Sequence, residues 1–219
     1  MAGMQYTPVT PEAFSALDGL GDWRVVLGTV QATFRAGSFA AAAALVSAVA
    51  GAADGLDHHP DIDVRYPDRV RVVITTHVRA SLTTLDADLA RQVSALASAA
   101  GATSEPVAAQ GVEMAIDTMD ADRIRPFWAA VLGYRDIRGT LVDPLRIGPA
   151  LWFQQMTEPR TERSRFHVDV SVPHDAAAAR IAAALAAGGT LVSDHHARSW
   201  WILADADGNE ACVCTWQDR

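Results

Sequence analysis

Hydrophobic and polar positions divide the first half of the chain into short helices and strands. Thr10-Pro11-Glu12 is typical of a helix start, because Thr caps the helix, Pro suits the first helical position and Glu suits the first turn. Gly28 lies between two apolar runs, which predicts a hairpin. Ser38 predicts the N-cap of an alanine-rich helix that continues to about Asp54. Apolar positions at helical spacing predict the buried face of this helix: Phe39, Ala42, Leu45, Val46 and Val49.

Two strands and one more helix are predicted to follow. Residues 62–65 and 70–75 largely alternate apolar with polar side chains, which predicts an antiparallel pair with one face on the core. Pro67-Asp68 predicts the turn between the two strands. Thr83 or Thr84 can cap the last helix. The first half is therefore predicted to be an α+β unit, with an antiparallel sheet and helices on one of its faces.

The second half contains a weak internal repeat. Residues 112–133 have the pattern strand, acidic turn, helix and glycine, and residues 166–189 repeat it. Aligning Thr118 with Val172 places Glu113 opposite His167. Each copy continues with short strands, which predicts a pair of βαβββ modules. The polar segment between the two halves predicts a domain boundary, with domains at 1–102 and 110–219.

Composition limits the classes of partner. The chain has 219 residues with 26 acidic against 18 basic side chains, a net charge of −8, which argues against a nucleic-acid track. The most apolar run, Phe39 to Ala53, is too short to cross a bilayer. No secretory signal pattern is seen, and Cys212 and Cys214 are too close for an unstrained disulfide. We expect buried thiols, no nucleic-acid or membrane partner, and a cytoplasmic location.

The strongest chemical signal is a histidine cluster in the first half. His58 and His59 precede a proline, and His77 ends a predicted neighbouring strand, with Asp86 near the start of a helix. Imidazoles titrate near neutrality, so such a group can supply both an acid and a base. Two alternatives remain open at this point: a zinc site, since neutral imidazole is a common ligand, and surface histidines with no joint role.

An ordered set of motifs around this cluster resembles the pterin-4a-carbinolamine dehydratases. The likeness covers about residues 10–97. It is carried by Gly21-Asp22-Trp23, Thr33-Phe34-Arg35, Ser38-Phe39-Ala40, the run from Asp57 to Tyr66, Thr75-Thr76-His77, and Leu82-Thr83 with Asp86. The resemblance implies dehydration of a 4a-hydroxytetrahydropterin to the quinonoid dihydropterin, with a pterin as substrate, no cofactor, and possible homo-oligomers.

The resemblance also implies residue roles. The catalytic group would be His58, His59 and His77, supported by Asp86. We favour His58 and His77 as the acid–base pair, with His59 orienting the substrate. The substrate-binding residues would be Asp54, Asp57 and Pro60.

Two departures from the family pattern bear on this site. Ten residues separate Tyr66 from His77 where the family usually has nine, and His77 would change face unless Pro67-Asp68 absorbs the extra residue. Ala80-Ser81 stands where the family usually has two glycines. A non-enzymatic binding or assembly role on the same fold is the alternative.

The repeat in the second half resembles glyoxalase-like members of the vicinal oxygen chelate superfamily. The likeness is carried by residues 127–134, 166–170 and 203–210. It implies a possible divalent metal bound by His167, Glu210 and Glu113, with lyase or dioxygenase chemistry, while the fourth ligand place near Leu151 is apolar. A metal-free pocket is the alternative. His195-His196 either rims this pocket or forms a solvated loop pair.

Overall fold

The chain forms two compact units, Met1–Gly111 and Val112–Arg219, in a computed structural model that describes residues 7–77, 81–159 and 167–218. Both units are α+β, as the sequence predicts. Each unit has a hydrophobic core of its own.

The first unit is an antiparallel sheet covered by helices. Its strands follow the order β1-β2-β4-β3, with β5 paired to β2. The elements are α1 (Pro11–Ser15), β1 (Arg24–Val26), β2 (Thr29–Arg35), α2 (Phe39–Leu56), β3 (Asp61–Arg65), β4 (Arg69–Ile74), α3 (Thr84–Ala99) and β5 (Thr103–Ser104), followed by a 3₁₀ turn at Pro106–Ala108.

The predicted caps and alternation explain these elements. Ser38 accepts a hydrogen bond from the Ala41 N–H at 3.1 Å, and Thr10 accepts one from Ala13, so both predicted N-caps are confirmed. Every second residue of β4 is buried, which places one face of the sheet on the core. The prediction for Phe39 is wrong: it is 62% exposed, because the first residue of α2 lies on the solvent side of the helix.

Helix α2 is longer than the apolar run in the sequence. Its 18 residues are long and apolar enough to cross a membrane by length and composition alone, which the sequence prediction did not anticipate. Four of its side chains pack in the core of the first unit, at Ala42, Leu45, Val49 and Ala53. One face of α2 therefore packs in the core of the first unit, while most of its residues are exposed or half-buried.

The second unit contains two copies of one module, so the predicted pair of βαβββ modules is confirmed. Sheet orders β6-β9-β8-β7 and β10-β13-β12-β11 are equivalent, with the first strand of each module parallel to its last. The first module is β6 (Glu113–Thr118), α4 (Ala121–Leu132), β7 (Arg135–Ile137), β8 (Thr140–Val142) and β9 (Ala150–Gln155). The second is β10 (Val168–Ser171), α5 (Ala177–Ala186), β11 (Thr190–Ser193), β12 (Trp200–Ala204) and β13 (Glu210–Cys214).

Strand register refines the comparison of the two modules. Met114 pairs with Leu151 in the first module, and Val168 pairs with Ala211 in the second. The repeat aligns Met114 with Val168, so their partners Leu151 and Ala211 are equivalent. The residue equivalent to Glu210 is therefore Ala150, one position before the predicted Leu151. Leu151 is fully buried in the core. Its neighbour Ala150 points to the opposite face of the sheet, because side chains alternate along a strand.

Candidate functional site

The turn after α2 separates the two adjacent histidines. Asp57 ends the helix in the left-handed conformation (φ 49°), which Asp tolerates better than most residues. The His58 N–H then donates to the Ala53 carbonyl at 3.0 Å. As a result His58 is buried, at 7% exposure, while His59 faces solvent.

Asp86 is a fully buried carboxylate that is hydrogen-bonded to the His58 ring. His58 Nε2 lies 2.9 Å from Asp86 Oδ1. An ionised carboxylate is only an acceptor, so Nε2 carries the proton of this hydrogen bond and Nδ1 is the ring atom left to exchange a proton. Asp86 therefore fixes both the orientation and the tautomer of His58.

Two threonines hold the other oxygen of Asp86. Oδ2 accepts from the Thr83 N–H at 2.6 Å and from the Thr76 hydroxyl at 2.8 Å. The Thr83 bond belongs to a capping box at the start of α3. Each carboxylate oxygen thus has a defined donor, as a buried charge requires. Asp86 serves the helix cap and the histidine at once.

His59 makes a different carboxylate pair. Its Nε2 lies 3.1 Å from Asp54 Oδ1, and the two side chains are 59% and 78% exposed. An exposed pair of this kind contributes little stability. The structure therefore places a buried histidine beside an exposed, accessible one.

His77 lies at the surface, one residue after Thr76. The Thr76 side chain joins the Asp86 cluster, so chain connectivity places the His77 backbone next to that cluster. The pairing of β3 with β4 is continuous from Arg65↔Arg69 to Asp61↔Val73. Residues 66–68 form the turn. The paired residues 61–65 and 69–73 contain no bulge, so no extra residue interrupts this part of β4.

The remaining predicted substrate-binding residues lie beside the histidines. Asp57 is exposed at the end of α2, and Pro60 is half-buried just before β3. Ala80 lies outside the described residues, whereas Ser81 forms an isolated bridge with Thr76. The sequence prediction gave Thr76 no role in the site and gave Thr83 only as a candidate helix cap, the N-cap position that it occupies. Two signals pointed to them: the alternation of buried residues along β4, and the Thr-x-x-Asp spacing of a capping box.

In the second unit, two of the three predicted metal ligands lie at the same end of the paired strands β10 and β13. His167 directly precedes β10, and extending the register of β10 with β13 places it opposite Glu210. Glu113 begins β6, in the other sheet of the unit, and is exposed. Imidazole and carboxylates are suitable donors for a divalent ion.

Among the residues that the structure describes, a different set of donors lies close together. His167, Asp169 and Cys212 each offer one atom, and these three atoms lie within 4.8 Å of one another. Burial, then a hydrogen bond with Asp169 and nearby negative charges, raises the pKa of Cys212 to about 12. Both cysteines are buried thiols, as predicted. The metal-free Cys212 is therefore a thiol at neutral pH and a poor nucleophile.

His195 and His196 are both exposed, in agreement with a solvated loop pair. The His196 ring stacks on Trp200, with centroids 4.2 Å apart.

Family models match both halves of the chain. Residues 7–96 match the model described as "Pterin 4 alpha carbinolamine dehydratase", and residues 113–214 match "Glyoxalase-like domain". A relative from Nocardia farcinica, named "Putative pterin-4-alpha-carbinolamine dehydratase", is 46% identical over 83 residues, which cover 38% of this chain and 86% of the relative. One of the same name from Acidobacterium capsulatum is 39% identical over 89 residues, covering 40% and 96%.

Solved structures are each similar to part of the chain. The "transcriptional coactivator/pterin dehydratase" of Brucella melitensis is 30% identical, covering 42% of this chain and 99% of its own, with a TM-score of 0.37. A "glyoxalase/bleomycin resistance protein/dioxygenase family enzyme" from Burkholderia phytofirmans is 19% identical, covering 47% and 95%, with a TM-score of 0.39.

Proposed function

We propose that this chain, which belongs to the pterin-4-alpha-carbinolamine dehydratase family and also carries a glyoxalase-like domain, dehydrates a 4a-hydroxytetrahydropterin in its first unit. The observation that carries the proposal is the buried His58–Asp86 pair at 2.9 Å, with Asp86 held in turn by Thr76 and Thr83. A histidine whose tautomer is fixed by a buried carboxylate is suited to directed proton transfer.

The reaction needs one acid and one base. The C4a–O bond breaks as the departing hydroxyl takes a proton and leaves as water. N5 loses its proton, and its electron pair forms the C4a=N5 double bond of the quinonoid dihydropterin. We assign the acid–base pair to His58 and His77, with His58 acting through Nδ1.

His59 and Asp54 form the accessible pair of the proposed site. Both side chains are largely exposed and hydrogen-bonded to each other. An incoming substrate can therefore replace this hydrogen bond with its own without disturbing the surrounding fold. We propose that they orient the pterin, together with Asp57 and Pro60, and that this chemistry takes place in the cytoplasm.

Replacing His59 with Ala should therefore raise KM more than it lowers kcat. We expect KM to rise roughly tenfold, equivalent to about 1.4 kcal/mol of lost binding, with a smaller change in kcat. Steady-state kinetics across a range of 4a-hydroxytetrahydropterin concentrations measures both constants. Asp54→Ala should behave in the same way if the two residues act as a pair. A His59→Ala variant that keeps KM but loses kcat would instead place His59 in the acid–base pair.

The function is tested by generating the 4a-hydroxytetrahydropterin with an aromatic amino-acid hydroxylase and following the quinonoid product by absorbance. Wild type should accelerate product formation over the spontaneous rate, and His195→Ala, changed in the second unit, should do so equally. Tight pterin binding without acceleration would favour the non-enzymatic role of a binding or assembly protein. No acceleration by wild type would contradict the dehydratase proposal.

A further inference from the structure

The second sheet of the second unit has one face on the core and one face that carries polar side chains. Val168, Ala211 and Val213 pack in the core. Because side chains alternate along a strand, the residues between them point to the opposite face. Asp169 pairs with Cys212 across the parallel strands β10 and β13, so both lie side by side on that face. His167, two residues before Asp169, lies at the end of the same row.

The donor atoms on this face are close enough for one ion. His167 Nδ1 is 2.9 Å from Asp169 Oδ1, and the Cys212 thiol completes a group whose atoms all lie within 4.8 Å of one another. A tetrahedral zinc ion binds sulfur at about 2.3 Å and nitrogen or oxygen at about 2.0–2.2 Å, which places ligand atoms roughly 3.4–3.6 Å apart. Side-chain shifts of about 1 Å would therefore form the site.

We propose that His167, Asp169 and Cys212 bind a divalent transition metal, with zinc the ion that best fits their donor atoms. A thiolate and an imidazole favour zinc over magnesium, calcium or manganese, which prefer oxygen ligands. Three protein ligands leave a fourth position open, as in catalytic rather than structural zinc sites. This set shares His167 with the ligands implied by the glyoxalase-like resemblance, but replaces both glutamates with Asp169 and Cys212.

The register explains why Cys212 and not Cys214 belongs to the site. Cys212 lies opposite Asp169, whereas Cys214 lies opposite Ser171 at the far end of the strand pair. Both thiols are buried, on one strand and on one face, so Cys214 is a matched control. Glu210 pairs with Ala204 at the start of β13 and serves to test the glutamate-containing alternative.

The proposal is tested by loading the metal-stripped full chain, purified without a histidine tag, with Co²⁺ and then with Zn²⁺. Cys212 and Cys214 are the two cysteines of the sequence, so a thiolate-to-cobalt charge-transfer band reports on them alone. Cobalt bound by the histidines of the first unit gives no such band. Wild type should bind one equivalent of Co²⁺ and show the charge-transfer band. Added Zn²⁺ should displace the cobalt and abolish the band.

The variants separate the ligands. Cys212→Ser should lose the band and weaken zinc binding by more than the roughly 10- to 100-fold that second-shell changes cost. Cys214→Ser and Glu210→Gln should keep both the band and the affinity. Asp169→Asn, at an exposed position, should weaken zinc affinity in a folded protein, which keeps the test valid if Cys212→Ser does not fold.

The proposal would be overturned by no band in wild type, by a band that survives in Cys212→Ser, by a band lost in Cys214→Ser, or by unchanged zinc affinity in Asp169→Asn. Loss of metal in Glu210→Gln but not in Cys212→Ser would assign the ion to the glutamate-containing set instead, and would equally overturn it.

Discussion

Replacing His58 with Gln should lower kcat for dehydration by about 100- to 10,000-fold, the usual contribution of a general acid or base. The Gln amide still offers an N–H that can donate to Asp86, in place of the 2.9 Å bond from Nε2. It cannot exchange a proton at neutral pH. The variant therefore separates proton transfer from the structural role of a buried side chain.

The measurement is steady-state kinetics together with the free energy of unfolding from urea titration. We expect His58→Gln to unfold close to wild type, whereas His58→Ala also loses stability because it leaves Asp86 without one donor. His195→Gln, an exposed histidine in the second unit, is the matched control and should keep full activity. A stable His58→Gln variant with wild-type kcat would show that His58 is structural.

Replacing Asp86 with Ala should have the largest effect on stability. Asp86 is fully buried, and its loss leaves the Thr83 N–H, the Thr76 hydroxyl and His58 without their acceptor. Removing one partner of such a buried pair costs about 3–5 kcal/mol. Urea unfolding of wild type and variant measures this difference directly.

Asp86→Asn tests the carboxylate more finely. Both oxygens of Asp86 accept hydrogen bonds, so an amide must turn its NH₂ group toward His58 or toward the threonines. We expect a loss of stability smaller than for Ala and a fall in kcat of roughly 100-fold or more, because the tautomer of His58 is no longer imposed.

Asp88→Asn is the control for Asp86→Asn, since Asp88 lies on the same helix with an exposed side chain. Surface substitutions of this type change stability by less than about 0.5 kcal/mol. Equal activity and stability in the two Asn variants would contradict the proposed role of Asp86.

The sequence predicted much of the first unit because its signals are local. Ser38 and Thr10 cap helices through residues three positions away, and alternation along β4 sets the buried face without reference to the rest of the fold. The histidines were found because their spacing and neighbours resemble a known family. Their different environments, one buried on Asp86 and one exposed on Asp54, were not predictable, since they depend on how the chain turns at Asp57.

The second unit shows where local reasoning stops. The repeat fixed the order of strands and helices, but the register of β10 with β13 joins residues more than forty positions apart in sequence, such as Asp169 and Cys212. No local sequence pattern determines which residue of one strand pairs with which residue of the other. Cys212 was therefore predicted only as a buried thiol, and Asp169 was not predicted as a ligand at all.

The most direct test of the central claim is a single-turnover measurement with enzyme in excess over 4a-hydroxytetrahydropterin, followed by stopped-flow absorbance. If the first unit is a dehydratase acting through His58, wild type should form the quinonoid dihydropterin far faster than the spontaneous reaction, and His58→Gln should lose most of that acceleration at every enzyme concentration. A wild-type rate equal to the spontaneous rate would contradict the claim.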